Sequence, residues 1–236
     1  MVNGKYIPSR LKLHNQIIRH FLKQDISSTK PDLYIFGGVG GSGKGSNLKK
    51  YVREKAVMVD NDKIKSILAE YNPSPIKKYL LLHAAKLHEE SGDIEKKLIE
   101  KLLISNKDVV LDRTLANFDK SLALVKRFHN KGYQVTTLGT NLKPHTAIAR
   151  ATKRFLNPKN DGRYVPLNII VAKGNKINKN VLQMAKRQFN KRSLVLNTTT
   201  RKGKVMYEKG KLNTMKKTRR KPSKGVKLSK YKIKKK

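Results

Sequence analysis

The ten residues Gly37-Gly38-Val39-Gly40-Gly41-Ser42-Gly43-Lys44-Gly45-Ser46 join closely spaced glycines to one placed ammonium group. From Gly38 to Lys44 they keep the spacing G-x-x-x-x-G-K, in which loop N–H groups surround phosphate oxygens while the lysine reaches the outer phosphates. Glycine lets the backbone come that close to an anion. The chemistry this pattern serves is the holding of nucleotide phosphates by Gly38, Gly40, Gly41, Ser42, Gly43, Lys44, Gly45 and Ser46. Gly45 departs from the pattern, because a serine or threonine hydroxyl at that position would bind Mg2+. Metal placement then falls to Ser46, a water or a carboxylate from a neighbouring strand, so phosphate binding is better supported than catalysis.

A phosphate loop needs a strand before it and a helix after it. Leu33-Tyr34-Ile35-Phe36 reads as a buried parallel strand, and Leu48 and Val52 at i, i+4 open a helix whose positive end faces the anion. A second apolar run, Ala56 to Val59, ends in Asp60-Asn61-Asp62, and a third, Asp108 to Leu111, ends in Asp112. Ligands of open α/β sheets sit at such carboxyl ends, which makes Asp62 and Asp112 candidates, with Asp60 as the rival of Asp62.

The remaining pattern continues the strand-helix alternation of a parallel sheet. A helix over 8–25, with Ser9 as its cap, flanks the domain. Residues 76–104 read as two helices interrupted at Ser91-Gly92. A helix over 118–130, a strand over 133–138 and a helix over 143–156 follow. The turn-rich segment 157–163 reads as a lid, Val165-Pro166 opens another helical segment, and 181–189 reads as helical. Ser193 to Asn197 forms a final strand and Lys204 to Tyr207 an edge strand. The expected fold is α/β, a P-loop NTPase-type parallel sheet flanked by helices over residues 1–200, with a disordered basic C-terminal tail over 201–236.

Charge is the second informative feature. The chain carries 55 Lys and Arg against 16 Asp and Glu, a net +39. Residues 201–236 alone hold 17 basic residues against Glu208, and the first 200 positions still keep +23. Both parts favour a polyanion, so nucleic acid is the expected partner of the tail. The tail has too few large apolar residues to offset the entropy of ordering. Val226, Leu228, Tyr231 and Ile233 give it only a thin apolar face, which argues against a membrane surface. No apolar run approaches the roughly 20 residues that span a bilayer. With no cysteine, the chain reads as cytoplasmic, or as packaged with a genome.

The loop Gly37 to Ser46, the strand end Val57-Met58-Val59-Asp60-Asn61-Asp62, the strand end Val110-Leu111-Asp112-Arg113-Thr114 and the basic lid resemble the zeta-toxin family of P-loop kinases over about residues 33–172. That family phosphorylates UDP-N-acetylglucosamine or related small hydroxyl substrates with ATP or GTP. The resemblance implies that Lys44 binds phosphate and that Asp62 accepts a proton from the substrate hydroxyl. It implies that Asp112 lies near substrate and Mg2+, that Thr114 contacts substrate, and that Arg150 and Arg163 bind the transferring phosphate. It also leaves room for an antitoxin partner. Leu115-Ala116-Asn117 lacks the arginine that resembled members place there for substrate.

Three readings follow: a small-molecule or nucleotide-sugar kinase, a polynucleotide 5′-kinase, and a catalytically weakened P-loop protein that binds nucleic acid. His83 and His88 point to different helix faces and do not suggest a metal site. The cluster Glu89, Glu90, Asp93 and Glu95 reads as a solvated helix end, with a substrate pocket as the alternative.

Overall fold

The computed structural model of the chain describes residues 6–23, 28–68, 80–157, 167–200, 202–212 and 214. Its helices are α1 (Pro8–Leu22), α2 (Lys44–Leu48), α3 (Asn61–Ile67), α4 (Leu80–Leu102), α5 (Phe118–Asn130), α6 (Pro144–Leu156) and α7 (Leu167–Ala185). Its strands are β1 (Asp32–Gly37), β2 (Val57–Val59), β3 (Val109–Asp112), β4 (Gln134–Asn141), β5 (Asn190–Asn197) and β6 (Lys204–Lys209). The six strands lie in the order β2-β3-β1-β4-β5-β6. All neighbours pair in parallel except β5 and β6.

Burial explains why β1 is apolar without alternation. Leu33 and Ile35 pack into the core formed with α1, α4, α5 and α7, whereas Tyr34 and Phe36 face the opposite cluster with Leu48 and Val52. A strand covered on both faces reads as a continuous apolar run. Since β3 and β4 flank β1 on its two sides, the chain switches direction across the sheet at β1, and open α/β sheets bind ligands at the carboxyl end of such a strand. The opposite end of the sheet is closed by buried Asp32, paired with Arg53 at 3.0 Å, whose guanidinium also holds Asp108 at 3.0 Å.

Several elements differ from the sequence expectation. Pro8 occupies the first turn of α1 and Ile7 the cap position, so Ser9 does not cap it. Proline suits that place because its missing N–H has no helical acceptor there. The helix is continuous through Ser91-Gly92: Ser91 is fully buried, with Oγ 2.7 Å from Asn61 Oδ1 and 3.0 Å from the His88 carbonyl. Tertiary contacts override the local weakness of Ser-Gly.

Likewise α7 runs unbroken from Leu167, because Ile170, Ile177, Val181 and Met184 form one buried stripe. Gly174 lets α7 approach α6, since a Cβ there would stand 2.8 Å from Pro144 Cγ. Strand β4 extends past Leu138 through Gly139, where a Cβ would meet Val181 Cγ1 at 2.3 Å. Of the expected lid 157–163, residues 158–163, including Arg163, lie outside the described residues, as do Val165-Pro166 and, in the expected tail, 201, 213 and 215–236. No helix among the described residues is long and apolar enough to cross a membrane.

Candidate functional site

The loop between β1 and α2 is shaped by three glycines with positive φ: Gly38 at 145°, Gly41 at 83° and Gly43 at 79°. Space fixes two of them as firmly as torsion does. A Cβ at Gly38 would stand 2.1 Å from Thr140 Oγ1, and one at Gly41 would stand 2.4 Å from the Ala147 carbonyl oxygen. The loop is therefore pressed against the ends of β4 and α6. Ser42 is fully buried; its Oγ lies 2.7 Å from Thr140 Oγ1, and its carbonyl accepts from Thr198 Oγ1 at 2.8 Å. Thr140 near the end of β4 and Thr198 just after β5 thus tie down a loop made of residues with almost no side chain.

Lys44 opens α2, and its ammonium donates to the Gly38 carbonyl at 2.9 Å, folding back across the loop. Asp112 Oδ1 lies 3.8 Å away. Strand register explains the encounter, since Phe36 pairs with Asp112 and the Arg113 N–H donates to the Phe36 carbonyl at 3.1 Å. The donor set suits phosphate: a glycine cradle and a half-buried ammonium. For Mg2+ the fit is thinner, because Gly45 supplies no oxygen and Ser46 Oγ donates to the Gly43 carbonyl at 3.0 Å. Asp112 is the nearest carboxylate to the loop's lysine that the geometry offers such an ion.

The two candidates at the end of β2 separate by role. Asp60 caps α3, accepting from the Asp62 N–H at 3.0 Å. Asp62 lies two residues further, in the first turn of α3, its side chain 43% exposed and its Oδ1 3.8 Å from Lys65 Nζ. After β3, Thr114 Oγ1 accepts from the Ala116 N–H at 3.3 Å. Leu115 is buried at a φ of 62°, and its carbonyl accepts from Asn180 Nδ2 at 2.7 Å, so α7 pins this turn.

The acidic cluster lies in the middle of α4 and divides, which corrects the reading of a solvated helix end: Glu89 is exposed and Asp93 partly so, but the other two are not. Glu90 and Glu95 are buried. Glu90 is held by Arg10 and His14 of α1. Burial alone would raise its pKa, but hydrogen bonds from Arg10 and His14 outweigh that and hold the carboxyl below the usual range. Glu95 accepts from Asn61 Nδ2 at 3.2 Å and pairs with Arg113 at 3.1 Å. It therefore bridges the turn of Asp60-Asn61-Asp62 to the residue after Asp112. A signal for this existed in the chain: Leu87, Glu90, Ser91, Ile94, Glu95, Leu98 and Leu102 share the three- and four-residue spacing of one buried helix face.

Arg150, expected over the transferring phosphate, donates instead to the carbonyls of Thr198 and Thr199, both at 2.7 Å. Because Thr198 in turn holds Ser42, Arg150 connects to the loop through that segment. The structure thus gathers the loop, Lys44 and Asp112 together, and joins the turn carrying Asp62 to that of Asp112 through Glu95.

Comparison with known proteins agrees with this architecture. The family model described as Zeta toxin matches residues 19–211. Among solved structures, the PezAT chromosomal toxin–antitoxin system of Streptococcus pneumoniae superposes with a TM-score of 0.63 at 20% identity, covering 88% of this chain and 83% of that one. The AvrRxo1-ORF1:AvrRxo1-ORF2 complex with sulphate ions gives a TM-score of 0.63 at 16% identity, covering 86% and 67%. The same pair with ATP gives 0.62 at 15% identity, again covering 86% and 67%. A search of curated proteins returns no match.

Proposed function

We propose that this chain, which belongs to the zeta-toxin family, transfers the γ-phosphate of ATP or GTP to a hydroxyl of a small molecule or nucleotide sugar. The observation that carries the reading is the convergence of Lys44, the Gly38 carbonyl and Asp112 at the carboxyl ends of adjacent parallel strands. The nucleotide supplies the activated phosphoryl group. The loop N–H groups of Gly40 to Ser46 and the Lys44 ammonium hold its phosphates, and a divalent ion beside them would draw on Asp112.

Asp62 accepts the proton of the acceptor hydroxyl as the hydroxyl oxygen bonds to phosphorus and the bridging P–O bond breaks. Its exposure leaves it open to an incoming acceptor. Asp112 and Thr114 orient that acceptor, and Glu95, positioned by Asn61 and Arg113, holds the two strand ends in register. Arg150 and Arg163 belong to the closing arm over the phosphate; Arg150 would exchange the Thr198 and Thr199 carbonyls for phosphate oxygens. Residues 1–200 form the catalytic domain, Lys204–Lys209 add β6 to the edge of its sheet, and the rest of 201–236 is a basic arm. An antitoxin partner is supported by the toxin–antitoxin system to which the fold is similar, and a cytoplasmic site of action follows from the use of intracellular nucleotides.

A second reading has its own support. The net +39 and the lack of an arginine in Leu115-Ala116-Asn117 favour an acceptor that is a nucleic-acid end over a sugar nucleotide, with the arm 201–236 engaging the polymer. The experiment that tests both is transfer of labelled γ-phosphate to nucleotide sugars, nucleosides and oligonucleotides, with Lys44→Ala and Asp62→Ala as controls. Label moving to one acceptor class, and lost in both variants, is the expected outcome; transfer unchanged in both would falsify the assignment.

A further inference from the structure

The positive charge is not spread evenly over the fold. Residues 1–119 carry 21 basic and 14 acidic residues, whereas 120–236 carry 34 basic residues against only Asp161 and Glu208. The sheet order turns this sequence asymmetry into a spatial one. Strands β2, β3 and β1 come from the first half, and β4, β5 and β6, with α6 and α7, come from the second. The acids of the candidate site therefore lie toward one side of the sheet, and the other side has almost none.

Helix α7 concentrates this charge. It packs on β4 and β5 through Ile170, Ile177, Val181 and Met184, all buried. Its outward face carries exposed Lys173, Lys176 and Lys179 at three-residue spacing, and exposed Lys186 lies just beyond its end. Neither α6 nor α7 contains an acidic residue. Among the described residues none of these four lysines is paired with a carboxylate. Exposed Asn168 and Asn175 add hydrogen-bonding groups. At 1.5 Å per residue, Lys173 to Lys186 spans about 20 Å, the length of about six phosphates on one strand of a duplex.

We infer that the outer face of α7 is a binding surface for duplex nucleic acid, read through its phosphates and without regard to sequence. The buried stripe of α7 is taken up by the core, and its two exposed large apolar residues, Ile169 and Val171, lie about 160° apart around the helix, so it has no broad apolar face to bury in a bilayer. It contains no aromatic residue on which unpaired bases could stack, which favours a duplex over a single strand. Lysines and asparagines at regular spacing serve phosphate contacts, which position a polymer but do not specify its sequence.

The test uses the full chain and fluorescence anisotropy on a labelled duplex of about 30 base pairs over a salt series. Wild type and Lys44→Ala bind equally, since the surface is independent of the phosphate loop. Lys173→Glu with Lys176→Glu and Lys179→Glu weakens binding at least tenfold at 150 mM salt, and the milder change of all three to Gln lowers the slope of log K against log salt by about 3. The matched set Lys96→Glu, Lys97→Glu and Lys101→Glu on α4 weakens it less than threefold. Circular dichroism establishes that each variant is folded. Equal losses in the α7 and α4 sets, preference for a single strand, or binding to anionic phosphatidylserine vesicles in place of the duplex would each overturn the assignment.

Discussion

The carboxylate of Asp112 stands 3.8 Å from the ammonium of Lys44, so the cation we propose for phosphate already has an anionic neighbour. Bound phosphate must share Lys44 with Asp112. Asp112→Asn removes that competition, so nucleotide affinity is expected to hold or rise. Phosphoryl transfer should nevertheless fall about 100-fold, because the carboxylate proposed to serve metal and acceptor is gone. Steady-state kinetics check the split: a lower kcat with KM for nucleotide unchanged or reduced.

Gly45 is the departure that raises doubt about metal binding, and the structure leaves room to repair it. A Cβ at Gly45 meets nothing closer than Lys49 Cε at 3.8 Å, an ordinary contact. Gly45→Thr or Gly45→Ser should therefore fold normally and place a hydroxyl beside the phosphates. The expected outcome is a lower Mg2+ concentration for half-maximal turnover, by about fivefold or more, a charge-assisted oxygen contact being worth about 1.5 kcal/mol. An unchanged Mg2+ titration would show that another group already fills the role.

Two glycines make opposite predictions. Gly41 has a φ of 83° and its Cβ would press within 2.4 Å of the Ala147 carbonyl, so Gly41→Ala must displace the loop and abolish nucleotide binding. Gly92 lies within α4 with nothing within 4 Å of an added Cβ. Gly92→Ala should stabilise by about 0.5–1 kcal/mol, seen as a Tm rise of about 1–4 °C.

The phosphate loop and β1 were legible because their signals are local: a continuous apolar run and glycines at fixed intervals. The same local signals singled out Lys44 and Asp112, but that their strands are neighbours is set by the sheet order. What escaped was set by tertiary contacts. Gly92 read as a break, yet Asn61 holds Ser91 and the helix passes through. Glu90 and Glu95 read as solvated charge, although they keep the spacing of Ile94 and Leu98 and meet Arg10, His14, Asn61 and Arg113 from distant segments. Strand β5 begins at Asn190 rather than Ser193 because its buried amide donates to the Met184 carbonyl and accepts from Thr137, partners that sequence does not display.

Glu90 gives the fold an acid dependence. Its folded-state pKa lies below the usual value, so the unfolded chain takes up the proton first as pH falls. The stabilisation is complete above the ordinary glutamate pKa of about 4.3 and is lost as pH drops through the depressed folded value. Arg10 and His14 face the carboxylate from α1, and Asp93 with its Tyr6 partner lies one turn along. Glu90→Gln should cost about 2 kcal/mol at pH 7 in urea unfolding, with the gap to wild type narrowing below about pH 4.

We assign to the loop from Gly38 to Ser46, with Lys44, the grip on the phosphates of a purine nucleotide. Calorimetric titration of the folded full chain with Mg-ATP and Mg-GTP addresses it most directly, with Lys44→Ala measured alongside to separate the loop from the general attraction of a +39 chain for anions. The expected result is saturable one-to-one binding, weakened about 10- to 100-fold by Lys44→Ala as an ammonium–phosphate contact is removed. Absence of saturable heat with either nucleotide, or equal affinity in wild type and Lys44→Ala, would contradict it.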